Sequence, residues 1–509
     1  MRGWTALWLC VLALSAACVG PLAEGADGRA GEAGQLVSGQ QESMVLVHLG
    51  DSITITSYLE AGERVEALLA PMLAAVFPGR SIEQHNLGLD GEDVQHFLTE
   101  RYDQVLRTKV PRADVFVIRY GTNDQHNYDA ENFRPLLGEL LDRLKRDYPG
   151  AQLVLGTGPY LGGSPWVNEH QYAPNWQVIR DVATERGLPL ADIFERFRRD
   201  YEERGRFLCR QKGDMHPSAE GVRVMAEEIV RAVGRALATS PGRLSPIDPD
   251  RGASILLLGD SISAMHRGEH RLEAVLEKSL AGAFPQGLLV VVNESQGGEW
   301  IGPGTQGQGA AEPLFTGESE GRYFKIRRRV PKAHVVFIEY GANDSKCYPP
   351  EVFRQRLAAL CGRLESDYPQ VRIVLATGMH LDYPAHAGPY WIDSPQVPGW
   401  KPGSTSRNEY LAPYFEAVRA LARERGYGLA DICLAMRAET AAGNWDLRIR
   451  NWPQGEGPAE PGGAVPAEVD AAHAQVAGWF DNVHPNYAGT ELMAQVYGDV
   501  LTGLVHRHK

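Results

Sequence analysis

After its first twenty residues the sequence holds no apolar run of about 18 residues, the length a membrane-crossing helix needs, so the body of the chain is not expected to span a membrane. Basic charge is in short supply. Lys and Arg number 51 against 64 Asp and Glu, a net charge of -13, which argues against nucleic acid or an anionic membrane surface as the main partner. Cysteine is scarce as well: there are 6, and beyond the N-terminal segment only Cys209, Cys347, Cys361 and Cys433 remain. No Cys-x-x-Cys pair and no His-rich cluster occurs, so neither a metal site nor a cofactor is implied. Cys347 and Cys361 either pair, which an oxidising compartment would permit, or Cys361 is core in a helical pattern.

The N-terminus is built differently. Arg2 precedes an apolar run from Trp4 to Ala17, and small residues follow, the layout of a secretory signal peptide. An exported protein is expected, whether periplasmic, secreted or held at the cell envelope. Leu14-Ser15-Ala16-Ala17-Cys18 is similar to a lipoprotein processing site, which makes Cys18 a candidate lipid anchor. Residues 1–43 are therefore set apart as signal peptide and flexible lead-in.

What the chain does have is one unit written twice. Gly50-Asp51-Ser52 returns as Gly259-Asp260-Ser261, each after an apolar run that reads as a buried parallel strand. Tyr120-Gly121-Thr122-Asn123-Asp124 returns as Tyr340-Gly341-Ala342-Asn343-Asp344, Leu190-Ala191-Asp192-Ile193 as Leu429-Ala430-Asp431-Ile432, and His216-Pro217 as His484-Pro485. The order never changes, so this is a duplicated domain. The offset grows from 209 between the serines to 268 between the histidines, which places insertions in loops of the second copy. Those loops carry Tyr390, Trp391, Trp400, Trp445, Trp452 and Trp479, a surface suited either to sugar stacking or to satellite core. Short β-branched runs alternate with amphipathic helical stretches in both copies, the pattern of βαβ units around a mostly parallel sheet. The expected division is 44–238, a Pro/Gly/Ser-rich linker 239–252, and 253–509.

The chemistry-bearing residues recur in the same order. A serine at a strand's carboxyl end sits where open α/β sheets place ligands, and it becomes a nucleophile only with a base beside it. Glycine turns follow the second strand of each copy, at Gly88 and Gly91 and at Gly297 and Gly298, and let a backbone N–H approach a ligand. Asn123 and Asn343 stand after the next strand, where an amide can donate to an oxyanion. Together these motifs resemble the SGNH (GDSL-like) hydrolases, over nearly all of both copies. The resemblance implies α/β architecture, with two tandem flavodoxin-like three-layer αβα domains, and ester hydrolysis without a cofactor.

Carried residue by residue, the resemblance makes Ser261 the nucleophile, His484 the base, Asp481 its orienting carboxylate, and Gly298 and Asn343 oxyanion donors. In the first copy it assigns Ser52, His216, Gly91 and Asn123. Gly88 and Gly297 are the alternatives to Gly91 and Gly298. The first copy departs from the pattern at Gly213, where the family has Asp; Asp214 lies only two residues before His216. Either Asp214 reaches the imidazole through an adapted loop, or His216 leans on a backbone carbonyl. The second copy is thus expected to be the more competent one. Asp51, Asp260, Asp124 and Asp344 read as braces of their turns, and His48, His85, His96 and His126 as packed or solvated histidines. Asn168-Glu169 and Asn408-Glu409 cap helices or meet substrate. The reading is a serine esterase removing acyl groups, acetyl first, from carbohydrate. A glycan-binding protein on a decayed scaffold, a lipase or thioesterase, and an acyltransferase are the rivals.

Overall fold

The structure, a computed structural model, describes residues 43–162, 169–211, 214–264, 268–284, 288–302, 313–314, 321–379, 407–443, 448–450, 480–485 and 487–506. The N-terminal segment with Cys18, and the loop aromatics Tyr390, Trp391, Trp400, Trp445, Trp452 and Trp479, lie outside the described residues.

The first lobe is a parallel sheet in the order β2-β1-β3-β4-β5: β1 Met44–Gly50, β2 Ile82–Asn86, β3 Val115–Arg119, β4 Gln152–Gly156 and β5 Leu190–Ala191. Every residue of β1 and β3 is buried, as expected for strands covered on both faces. The covering helices are α1 Ser52–Ile55, α2 Val65–Val76, the helical stretch α3 over 94–109, α4 Ala130–Asp147, α5 Glu169–Arg186, α6 Ile193–Arg204 and α7 Ala219–Ala238. One of the expected amphipathic helices is α4, whose Phe133, Leu137, Leu140, Leu141 and Leu144 face the core.

The second lobe repeats this order and adds one strand. Its sheet runs β6-β11-β10-β9-β7-β8, from β6 Thr239–Ser240, β7 Ala253–Gly259, β8 Leu289–Asn293, β9 Val335–Glu339, β10 Arg372–Ala376 and β11 Gly428–Ala430. All neighbours are parallel except β6, which pairs antiparallel with β11. Part of the expected linker is thus an edge strand of the second sheet, reached directly from the end of α7. The helices are α8 Ser261–Ala264, α9 Leu272–Leu280, α10 Arg322–Arg329, α11 Pro350–Asp367, α12 Arg407–Arg425, α13 Ile432–Ala441 and α14 Tyr487–His506. A separate hairpin joins β12 Arg448–Arg450 to β13 Phe480–Pro485. None of the described helices is long and apolar enough to cross a membrane.

The lobes meet helix on helix. Gly234 of α7 lies so close to α13 that a Cβ there would overlap the Ala438 side chain. Arg231 reaches Glu439 at 3.0 Å and the Ala442 carbonyl at 3.1 Å, and Arg437 donates to the Val76 carbonyl at 3.1 Å. The Leu-Ala-Asp-Ile repeat is explained by packing. Asp192 and Asp431 each cap the next helix and take a two-pronged hydrogen bond from Arg180 or Arg419. Cys347 and Cys361 do not pair: the four cysteines among the described residues are free thiols, and Cys361 is buried on α11.

Candidate active site

In both lobes the strand order reverses between the first and third strands, the crevice where such sheets bind ligands. Ser52 stands at that point. β1 ends at Gly50, where a Cβ would press on the Arg119 carbonyl and the Thr54 side chain, so only glycine lets the turn close. Asp51 follows in extended conformation, and its Oδ1 accepts the Ile53 N–H at 2.9 Å, capping α1. The serine is thereby fixed as the first residue of that helix.

His216 arrives from the segment before α7. Its Nε2 lies 3.0 Å from Ser52 Oγ, and its Nδ1 lies 2.7 Å from Asp214 Oδ1. The same carboxylate oxygen accepts the His216 backbone N–H at 2.9 Å. This is an Asx turn, in which an aspartate bonds the backbone two residues on. The two-residue spacing therefore serves the imidazole, and it fixes the ring with Nδ1 protonated and Nε2 open to the serine proton. Burial acts to raise the Asp214 carboxyl, but the hydrogen bonds and charge of His216, with the Arg210 charge, outweigh it and hold the group below its ordinary value. Tyr58 packs edge-on against the imidazole at 4.8 Å between centroids, and the Arg210 guanidinium lies 5.4 Å over the Tyr58 ring.

The oxyanion candidates close the other side. Asn123 follows β3 and donates one Nδ2 hydrogen to the Glu92 carbonyl at 3.0 Å; an amide carries a second. Gly91 turns with φ 77°, a conformation favouring glycine. Glu92 pins that turn from within: its buried carboxylate takes Arg101 at 2.8 Å and the Tyr120 hydroxyl at 3.1 Å. Glu299 does the same in the second lobe with Arg322 and Tyr340, and burial pushes its carboxyl up to about 7 against their pull. The two glutamates escaped sequence reasoning, although each directly follows the glycine chosen for the oxyanion site.

Asp124 and Asp344 brace their turns, accepting N–H groups from Gly121 and Val94 and from Gly341 and Ile301. His48 is buried against Gln84, and burial lowers its imidazole to about 4. His85 and His96 pair with Glu83 and Glu92, and His126 with Gln125. The side chains of Asn168, Glu169, Asn408 and Glu409 lie outside the described residues.

The second lobe places the same elements. Ser261 opens α8, Asp260 Oδ1 accepts the Ile262 N–H at 2.9 Å, and Gly298 turns with φ 77°. Gly297 faces Ser261: a Cβ there would lie 3.8 Å from Ser261 Cβ. Asn343 Nδ2 is shared between Asp260 Oδ2 and the Glu299 carbonyl, both at 3.2 Å. Asp481 and His484 lie on β13, which packs against α8; their side chains lie outside the described residues. The array that the structure describes through its side chains is therefore in the first lobe, the one expected to be weaker.

The sequence model of the GDSL-like lipase/acylhydrolase family matches residues 48–224 and 257–492. The chain belongs to this family. Two tandem GDSL domains account for its two sheets, and esterase chemistry follows at the level of the family. No curated protein matches the chain. Solved structures resemble it in part. A member of the lipolytic G-D-S-L family from Veillonella parvula is 16% identical, with 37% of this chain and 97% of that one aligned at a TM-score of 0.31. The acetylxylan esterase Axe2 from Geobacillus stearothermophilus is 20% identical over 38% of this chain and 94% of its own, at 0.31. An α/β hydrolase, LAE5, from the metagenome of Lake Arreo is 23% identical over 38% and 98%, at 0.32.

Proposed function

We propose that this GDSL protein is a serine esterase that removes small acyl groups, acetyl foremost, from carbohydrate. One observation carries the reading: Ser52, His216 and Asp214 form an unbroken hydrogen-bonded series at the sheet's switch point. His216 takes the proton as Ser52 Oγ attacks the ester carbonyl. The oxyanion is met by the N–H groups of Ser52 and Gly91 and by the second Nδ2 hydrogen of Asn123. His216 then returns its proton to the leaving alcohol, and water deacylates the serine by the same route. Ser261, His484, Asp481 and Gly298 take the corresponding roles in the second lobe, and Asn343 takes its own by turning one Nδ2 hydrogen from Asp260 to the oxyanion.

The rim supports a polar substrate. Polar pairs stand next to the site residues along the chain, Ser57 with Asp90 beside Gly91, Gln125 with His126 after Asn123, and Arg210 with Asp214, and they suit a hydroxylated acceptor better than an acyl chain. The leader assigns the enzyme to an exported compartment. Hydrolysis of p-nitrophenyl acetate and acetate release from acetylated polysaccharides test the reading, with wild type, Ser52→Ala, Ser261→Ala and the double variant compared. A double variant as active as wild type would refute it. An inert wild type that still binds acetylated glycan would favour a binding module.

A further inference from the structure

One buried position lies behind each serine turn, and its charge is opposite in the two lobes. Arg119 ends β3 and is in register with Gly50; Glu339 ends β9 and is in register with Gly259. Both are buried among apolar strands, at 4% and 1% exposure, where an unpaired charge is expensive. The surroundings differ to match. A Cβ on Gly156 would collide with Arg119 Cγ at 2.7 Å, so that glycine makes room for the long side chain; Ala376 stands in its place beside the shorter Glu339.

Arg119 extends beneath the nucleophile turn and donates from Nη2 to the Ile53 carbonyl at 3.0 Å, one residue past Ser52. It shares a small cavity with Asp51, Thr122, Thr157 and Trp176. Burial raises the Asp51 carboxyl, while the Ile53 N–H, Thr122 and the Arg119 charge oppose that rise. Glu339 lies under the other turn with a different set of partners. Its Oε2 accepts from Ser263 Oγ at 3.1 Å, and its Oε1 is buried without a hydrogen-bond partner. The groups facing it are Asp260 from the end of β7, Ser263 from α8, Asp344 from the turn after β9, and Tyr497 from α14. Both Asp260 oxygens accept, from the Ile262 N–H and the Asn343 amide, whereas Glu339 takes Ser263 Oγ and the Asp260 backbone N–H and keeps Oε1 bare. A proton shared between these carboxyls belongs on Glu339.

We propose that this position holds a positioning residue of opposite character in the two lobes: Arg119 anchors the Ser52 turn as a cation, Glu339 supports the Ser261 turn as a neutral acid, and the second lobe's turn is the one that rising pH weakens. The second lobe loses integrity as Glu339 is driven to ionise beside Asp260 and Asp344. Burial, followed by the Asp260 charge, holds the Glu339 carboxyl well above its ordinary 4.5. The sign follows: stability from the neutral form is complete below 4.5 and is lost as pH rises toward the raised folded value.

The first test needs no activity. Thermal unfolding of the full chain is followed from about pH 5 to about pH 8 for wild type and Glu339→Gln, which mimics the protonated acid. The difference in midpoint, variant minus wild type, is expected to grow steadily with pH. A difference that stays constant across the range would overturn the Glu339 assignment. The second test rests on the esterase reading and uses a Ser261→Ala background to isolate the first lobe. Arg119→Gln is expected to lower kcat on the order of 10-fold to 100-fold with KM nearly unchanged, and Arg119→Lys to recover most of it. A change confined to KM, or a lysine variant no better than glutamine, would overturn the Arg119 assignment. A background without any Ser52-dependent hydrolysis would refute the esterase reading instead, leaving the melting result to judge Glu339.

Discussion

The two lobes share a strand order, a Gly-Asp-Ser turn, a pinned glycine loop and an Asn after the third strand, yet they orient the histidine loop by different local means. In the first lobe an Asx turn folds Asp214 back onto His216, and Tyr58 packs on the ring. In the second, the corresponding loops meet through His270 and Tyr487, stacked at 3.8 Å between centroids. The first lobe teaches that the carboxylate beside an imidazole is specified by where its oxygen arrives rather than by its distance along the chain. Asp214 bonds both the backbone and the ring of one histidine, which an aspartate three residues away would not do through the same turn.

The largest effect that would break this comparison is loss of both serines. Ser52→Ala with Ser261→Ala is expected to remove p-nitrophenyl acetate hydrolysis, a fall on the order of 10⁴-fold or more in kcat/KM. Asp214→Asn in a Ser261→Ala background is expected to cost about 10²-fold to 10⁴-fold in kcat, because the ring loses the acceptor that fixes its tautomer. A loss below tenfold would show that the Asx turn is only structural. Asn123→Ala, read in the same way, should lower kcat by about 10²-fold to 10³-fold with KM less affected. Gly234→Leu tests the contact between lobes. The added side chain has no space against Ala438, and thermal or urea unfolding should register a loss of roughly 1–3 kcal/mol. The smallest effect is Tyr58→Phe. The Tyr58 hydroxyl is buried without a hydrogen-bond partner, so its removal should leave stability unchanged or raise it by up to about 1 kcal/mol, with the His216 packing kept.

Much of this was legible in the residues, for physical reasons. The apolar runs that open at Met44 and Ala253 read as strands because a parallel strand covered on both faces is largely apolar, and the repeated order of motifs fixed which turns share an edge of the sheet. The role of Asp214 was left open because an Asx turn depends on backbone dihedrals that spacing does not specify. Arg119 and Glu339 were hidden because a single charge ending an apolar strand looks like an exposed end; the packing of Gly156 and Ser263 around them shows otherwise. Glu92 and Glu299 were hidden for the same reason, each a charge in a glycine loop that proves to be buried. Thr239–Ser240 read as linker because two residues are too few for a periodic signal; their strand exists only through its pairing with Leu429 and Ala430.

The most direct test is covalent. The intact protein is treated with diethyl p-nitrophenyl phosphate, which phosphorylates activated serines, and the modified peptides are mapped by mass spectrometry. The account predicts a diethylphosphoryl group on Ser52, lost in His216→Ala. An unlabelled Ser52 in protein that hydrolyses p-nitrophenyl acetate, or labelling that survives His216→Ala, would contradict it.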